Sequence, residues 1–574
     1  MTGATRAQEQ IDIMPGILIS QLRSTTALLV CATALVSLGA APIRFRDATD
    51  AAGIRFAHTD GSSGQHYIVE TVASGLGLID IDGDGFLDIL FLNGAPLPGT
   101  PKPALMPTSA LYRNNRNGTF IDVTAGSGLE APGYALGCTV ADYDNDGHED
   151  LLITYHEAVR LYHNNGNGTF SDVTQKAGLA GASTPNRVGA GCLFLDYDRD
   201  GLLDIFIGYY LDADLANHKL RKIGKIPTYD PPKMYPAVPN RLYHNNGDGT
   251  FRDVTEASGI GKYKGYAMGL VSADFDGDGW PDIYVGNDVM ENFLFHNLRN
   301  GTFEEIGVQS GCALDGYGDP QGTMGVNVGD YDGDGRLDIF VTDYQNQVNT
   351  LYRNLGNLQF QDVTIQTGAG TSSRPLVKWG CAIADFDNDG VPELFAAAGH
   401  LLDTVEGHDK TTTYKQRSLL LQQRAGRFVD VTPESGALAA IIESSRGAVV
   451  GDLNNDGKPD LVVLNSRSRA RVLMNETATP NHWSSLKLVG TRSNRSAVGA
   501  LARIAVGGTL RVDEVHAGRS YQSAEDLRLH FGLGTNLSID RLQVSWPSGV
   551  TNTWTNLPAD RVLRLTEGET ASPR

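Results

Sequence analysis

Carboxylates recur in this sequence at a spacing that suits the capture of a hard cation. Residues 142 to 150 read DYDNDGHED, five carboxylates in nine residues. Like charges held that close repel by about 1 kcal/mol per pair even in water, so something must neutralise them. Related nonapeptides occur seven times: DIDGDGFLD from 80, DYDNDGHED from 142, DYDRDGLLD from 196, DFDGDGWPD from 274, DYDGDGRLD from 330, DFDNDGVPE from 385 and DLNNDGKPD from 452. Oxygens at positions 1, 3, 5 and 9 converge, glycine at position 6 permits the sharp turn, and the backbone carbonyl of position 7 completes a calcium-type set.

The candidate ligands are therefore Asp80, Asp82, Asp84 and Asp88 in the first copy, and Asp142, Asp144, Asp146 and Asp150 in the second. Asp196, Asp198, Asp200 and Asp204 follow, then Asp274, Asp276, Asp278 and Asp282, then Asp330, Asp332, Asp334 and Asp338. The sixth copy offers Asp385, Asp387, Asp389 and Glu393, and the seventh Asp452, Asn454, Asp456 and Asp460. An EF-hand is excluded, because position 12 is Phe91, Ile153 and Ile207 in the first three copies, where a bidentate Glu is required. Up to seven Ca²⁺ are expected. They would move the formal charge from -20 to -6, so most of the acidity belongs to these loops. Extracellular calcium modules bind at about 10⁻⁴ to 10⁻³ M, and the binding free energy becomes folding free energy.

The elements that must position these loops are legible in the flanks. An apolar run such as LGCTVAD precedes a loop; LLITY, RLYHNN, a glycine hairpin GNG and TFSDVT follow it. Alternating, β-branched segments bounded by Asn-Gly turns are strands, so each unit reads as four antiparallel strands, one propeller blade. The last strand of a unit starts at Phe120, Phe170, Phe251, Phe303, Phe360 and Phe428, and a seventh copy, FRDAT at Phe45, lies upstream of all the loops. The spacing predicts a seven-bladed β-propeller over 42–478, with the N-terminal strand completing the last blade and hiding the sheet edges.

These repeats resemble the FG-GAP or VCBS repeats, the family that includes the integrin α-chain propeller. That resemblance implies calcium in the hairpin loops, all on one face, with ligands engaging other loops. Beyond residue 478, NRSAVGA, HFGLG and WPSG resemble the ASPIC/UnbV domain, which follows such repeats in the cartilage acidic protein-like family. That resemblance names the domain over 479–567, with a tail at 568–574, and implies no catalytic role. Its short alternating segments predict a small all-β sandwich. From Asn481 onward it holds eleven Lys and Arg against eight acids, read here as a solvated surface rather than a docking face. His530 reads as a packed or capping histidine.

Residues 1–41 read as a signal peptide, with the apolar stretch TTALLVCATALVSLGAAP after Arg23. The chain is therefore expected to be exported, to the periplasm, cell surface or medium, without a membrane span in the mature part. Its acidity argues against nucleic acid. Cys138, Cys192, Cys312 and Cys381 lie in apolar segments and read as buried thiols.

Long insertions in blades one, three and six share the face opposite the aspartate loops, where binding residues concentrate. Blade three mixes Lys219, Arg221, Lys222 and Lys225 with Tyr209, Tyr210, Tyr229 and Tyr235, a composition suited to glycans or an acidic protein. Blade six brings His400, Asp403, Glu406, His408 and Asp409 close in sequence, read as ordinary surface loop with a transition-metal site as the alternative. No nucleophile elbow, Walker loop, HExxH or Cys-x-x-Cys occurs. The expectation is a non-enzymatic recognition or adhesion module for protein or glycan, with a calcium-dependent carbohydrate-active enzyme such as a polysaccharide lyase as the alternative.

Overall fold

The computed structural model describes residues 42–569 except 74 and 102, so the expected signal segment lies outside the described residues. Seven four-stranded antiparallel sheets follow one another along the chain, each winding from an inner strand outwards. The first runs Leu76–Ile79, Asp88–Phe91, Ala110–Asn114 and Phe120–Asp122. In the seventh, Ser445–Gly451, Asp460–Asn465 and Arg471–Asn475 take their outer partner from the start of the chain. Phe45–Asp47 pairs there, with Phe45 opposite Asn475. Inner strands touch in sequence from sheet one to sheet seven, and Ser445–Gly451 returns to Leu76–Ile79.

The ring explains the apolar runs. An inner strand has other sheets on both sides, so Ala135–Ala141 is buried at all seven positions. Between adjacent sheets the side chains form separate cores, for example Ile79, Leu90 and Leu111 against Val140, Leu151 and Tyr162. Phe45 meets Phe386 edge-on at 5.4 Å in the core that joins sheets six and seven. Among the described residues, Cys138, Cys192, Cys312 and Cys381 are buried free thiols within these layers.

Beyond the ring, His482–Val489 pairs with Leu529–Gly534 and, in parallel, with Arg561–Thr566. A second sheet orders Thr509–Glu514, Leu501–Val506, Ser538–Ser545 and Thr551–Pro558. Leu486, Phe531 and Leu563 from the first share a core with Ile504, Leu542 and Trp554 from the second.

The C-terminal surface is not simply solvated, which corrects the reading from composition. The described residues all fall within one compact unit. The segment between Glu514 and Leu529 enters the ring and meets its inner strands: Ala517 bridges Phe194, Ser520 bridges Val326 and Ala524 bridges Gly77. Tyr521 is fully buried, stacks edge-on against Trp379 at 5.1 Å and donates its hydroxyl to the Val72 carbonyl at 2.6 Å. Gly518 turns this segment at φ 100°, where a Cβ would stand 2.6 Å from the Cys192 carbonyl oxygen, so only glycine fits. No helix among the described residues is long and apolar enough to cross a membrane.

Candidate metal centre

Each aspartate loop joins the first two strands of its sheet, with position 1 just after the inner strand and position 9 opening the next. The position 1 carboxylate organises the turn. In every copy one of its oxygens accepts the N–H of position 5 and the other that of position 6, as Asp142 does from Asp146 at 3.0 Å and Gly147 at 2.7 Å. The position 6 glycines all have positive φ, from 82° at Gly457 to 101° at Gly147.

Position 9 is buried and locks the loop to its sheet. Asp150 accepts the Tyr143 N–H at 3.1 Å and the Asn164 N–H, from the third strand, at 2.7 Å. Asp88, Asp204, Asp338 and Asp460 repeat both bonds. Positions 3 and 5 close the ring of oxygens. Asp142, Asp144 and Asp150 bring ligand atoms within 4.8 Å of one another, as do Asp80, Asp82 and Asp84, and Asp196, Asp198 and Asp204. Asn454 keeps the same orientation, accepting the Asp456 N–H at 3.1 Å.

The electrostatics fit a cation. Burial first, then crowding, pushes Asp88, Asp142 and Asp330 up to about 7 and Asp196 and Asp338 up to about 8. Burial raises Asp385, Glu393 and Asp460 well above the usual carboxylate range too. Buried Oδ2 of Asp282 and Oδ1 of Asp198 have no hydrogen-bond donor. Hard oxygens in surplus over N–H donors are the donor set that Ca²⁺ takes.

The loops are not alike. Third-strand histidines face three of them: His163 Nδ1 lies 3.2 Å from Asp144 and 3.4 Å from Asp150, His244 Nδ1 3.3 Å from Asp198 and Asp204, and His296 Nδ1 3.0 Å from Asp282. In the fifth sheet Arg353 reaches Asp332 at 2.7 Å and Asp334 at 3.0 Å, and Arg336 also pairs with Asp334. In the sixth, Gln422 donates to Asp387 at 3.0 Å.

Two sets of residues escaped the sequence reading. The third-strand amides staple the ring: Asn164 donates to the Ile81 carbonyl of the preceding loop, and Asn245, Asn297, Asn354, Gln423, Asn475 and Asn114 do the same to Tyr143, Tyr197, Phe275, Tyr331, Phe386 and Leu453. The last bond joins sheet one to sheet seven. The recurring Asn of RLYHNN was the available signal. Position 4 is the other set: Asn145, Asn388 and Asn455 each donate to the position 6 carbonyl of the following loop, at 2.8 to 3.1 Å.

The C-terminal domain sits on these loops. Ser496 accepts the Asp142 N–H at 2.9 Å, Glu514 the Asp274 N–H at 3.1 Å, and Arg528 donates to Asn455 at 2.7 Å. Lys487 pairs with Glu149 at 2.8 Å, and Glu149 accepts the Asp80 N–H at 3.0 Å. His530 is packed as expected, with Nε2 2.7 Å from Asn388 Oδ1.

The insertion residues separate into other roles. Tyr209, Tyr210 and Tyr229 are buried, their hydroxyls donating to Ala182, Asp288 and Glu70, while Lys219, Arg221, Lys222 and Lys225 are exposed. These three rings thus belong to the core, whereas Tyr235 is half-buried. In the sixth insertion, Asp403 pairs with Arg467 at 2.7 Å, Glu406 accepts the Tyr414 N–H, Asp409 takes Gln345 and Thr411, and His400 is buried.

The chain matches the FG-GAP-like repeat family over residues 80–153, 142–207, 235–285, 274–341 and 330–396, and the ASPIC and UnbV family over residues 490–572. It is similar to cartilage acidic protein 1 of Mus musculus, 24% identical over 507 residues, 83% of this chain and 70% of the relative. To the Homo sapiens protein it is 25% identical over 443 residues, 73% of this chain and 60% of the relative. Similar solved structures include an Agrocybe aegerita lectin that recognises non-reducing terminal N-acetylglucosamine, at TM-score 0.37 and 17% identity, covering 68% of this chain and 84% of the lectin. Another is BBS1N in complex with ARL6DN, at TM-score 0.41 and 10% identity, covering 76% of this chain and 98% of that one.

Proposed function

The chain belongs to the FG-GAP-repeat proteins that end in an ASPIC and UnbV domain, and from that membership we propose an exported, calcium-stabilised, seven-bladed propeller with a small β-sandwich, acting as a non-enzymatic recognition or adhesion module at the cell surface. The ligand is a protein or a glycan. Calcium would be held by the carboxylates at positions 1, 3, 5 and 9 of the loops, where it supplies the positive charge that the buried oxygens lack. The chain's own part is to aim those oxygens through the position 5 and 6 N–H groups and to bind each loop to its neighbour through the third-strand amides.

The observation that carries the reading is the division of faces. The C-terminal domain occupies the aspartate-loop face and fills the ring's centre with Tyr521, so the opposite face, carrying the long insertions, is the one left for a partner. The test is a screen of glycans, polysaccharides and candidate proteins on the chain from residue 42 onward, in calcium and in chelator, scoring retention and product release. Retention without turnover, lost in chelator, is expected. Release of unsaturated sugars would replace the reading with a polysaccharide lyase.

A further inference from the structure

We propose that the hairpin formed by Arg221–Ile223 and Ile226–Thr228, in the third sheet's insertion, is a contact for the surface of an anionic lipid bilayer. Over residues 219–233 stand Lys219, Arg221, Lys222, Lys225 and Lys233 against the single carboxylate of Asp230, in a chain of formal charge -20. All five cations are exposed, and none forms an ion pair with a described residue. Lys487, Arg353 and Arg467, by contrast, pair with the chain's own acids. Here the positive charge is segregated and unspent.

Exposed apolar groups accompany it. Ile223 is 49% exposed and Met234 69%. A soluble polyanion gains nothing from them, whereas a bilayer interface takes both kinds of group, cations at the phosphates and apolar side chains at the boundary with the acyl chains. The hairpin is also mounted firmly. Ile223 pairs with Ile226, whose Cδ1 lies against Gly407 of the sixth insertion, and at the two ends Tyr229 donates to Glu70 and His218 Nε2 lies 2.8 Å from the Gln65 carbonyl. A rigid mount spares the ordering entropy that a loose loop loses on binding. The hairpin lies on the insertion face, so contact there leaves the C-terminal domain pointing away from the bilayer. It needs no calcium and stands apart from the recognition reading.

The test uses the chain from residue 42 onward, which carries every described element, with phosphatidylcholine vesicles made with and without phosphatidylglycerol, at one fixed calcium concentration. The wild type should partition onto the anionic vesicles only, and less as salt rises. Each Lys or Arg near such a surface contributes about 1 kcal/mol, so R221S/K222S/K225S should lower the partition about 100-fold at unchanged melting temperature. I223S should lower it several-fold. Equal partition onto neutral vesicles, or undiminished binding by the triple variant, would overturn the proposal. So would retention on dextran sulfate that I223S leaves intact, with no vesicle binding, because that would make the occupant a soluble polyanion.

Discussion

At the residue scale, one carboxylate in each loop fixes backbone N–H groups and, under the proposed reading, would also face a cation. Those jobs respond differently to pH. The folded-state values of Asp88, Asp142, Asp196, Asp330 and Asp338 are raised to about 7 or 8, chiefly by burial, above an ordinary value of 3.8. A raised value means that the metal-free fold favours the protonated form, so this contribution to stability is complete below about pH 4 and is lost as pH climbs through 7 to 8. In chelator the melting temperature should therefore fall between pH 5 and pH 8. Calcium reverses the sign, because protons then compete with it, and calorimetric calcium affinity should weaken as pH drops from 8 to 5. The amide staples make a separate prediction. Asn164→Ala leaves the Ile81 and Glu149 carbonyls without their buried donor and should cost about 1–3 kcal/mol in denaturant unfolding, with calcium present or absent. The carboxylates were readable because their spacing alone implies convergence. The staples were not, since a repeated Asn in a strand shows no partner until the neighbouring sheet is placed beside it.

At the element scale, the outer strand starting at Phe45 carries closure. Phe45 is 3% exposed, packs on Phe386 and accepts its partner strand from the far end of the sequence. Phe45→Ala should cost about 3–5 kcal/mol, read as a lowered denaturant midpoint. An equivalent change at Phe303, in an interior sheet, tests whether closure adds anything beyond lost packing: the two costs should differ, with Phe45 the larger. The strand order was legible because F-x-D-V-T, or FEEI at Phe303, recurs at a fixed place after the first six loops, and the upstream copy had only one sheet left to complete. The insertions were less legible. Tyr209, Tyr210 and Tyr229 look like a binding surface in sequence, but whether an aromatic faces solvent or core depends on what the insertion folds over, and local sequence does not contain that.

At the scale of the whole molecule, the ring and the C-terminal domain are one structure. Tyr521 and its neighbours close the centre of the ring from the aspartate face, so the domain acts as part of the propeller's core rather than as a tethered companion. Tyr521→Ala removes a fully buried ring and the hydroxyl bond to Val72, and should lower stability by about 3–5 kcal/mol in a single transition shared by both parts. Composition hid this. A domain with eleven cations and eight acids is consistent with solvated surface, and the docking depends on where Lys487, Arg528 and Ser496 fall relative to the loops.

The central claim is that calcium in the seven loops holds this fold, and the most direct measurement is the melting temperature of the chain from residue 42 onward, in chelator and through a calcium titration. Each occupied site stabilises by RT ln(1 + [Ca²⁺]/Kd), so the melting temperature should climb steadily across about 10⁻⁴ to 10⁻³ M calcium. The same melting temperature in chelator and in saturating calcium would contradict it.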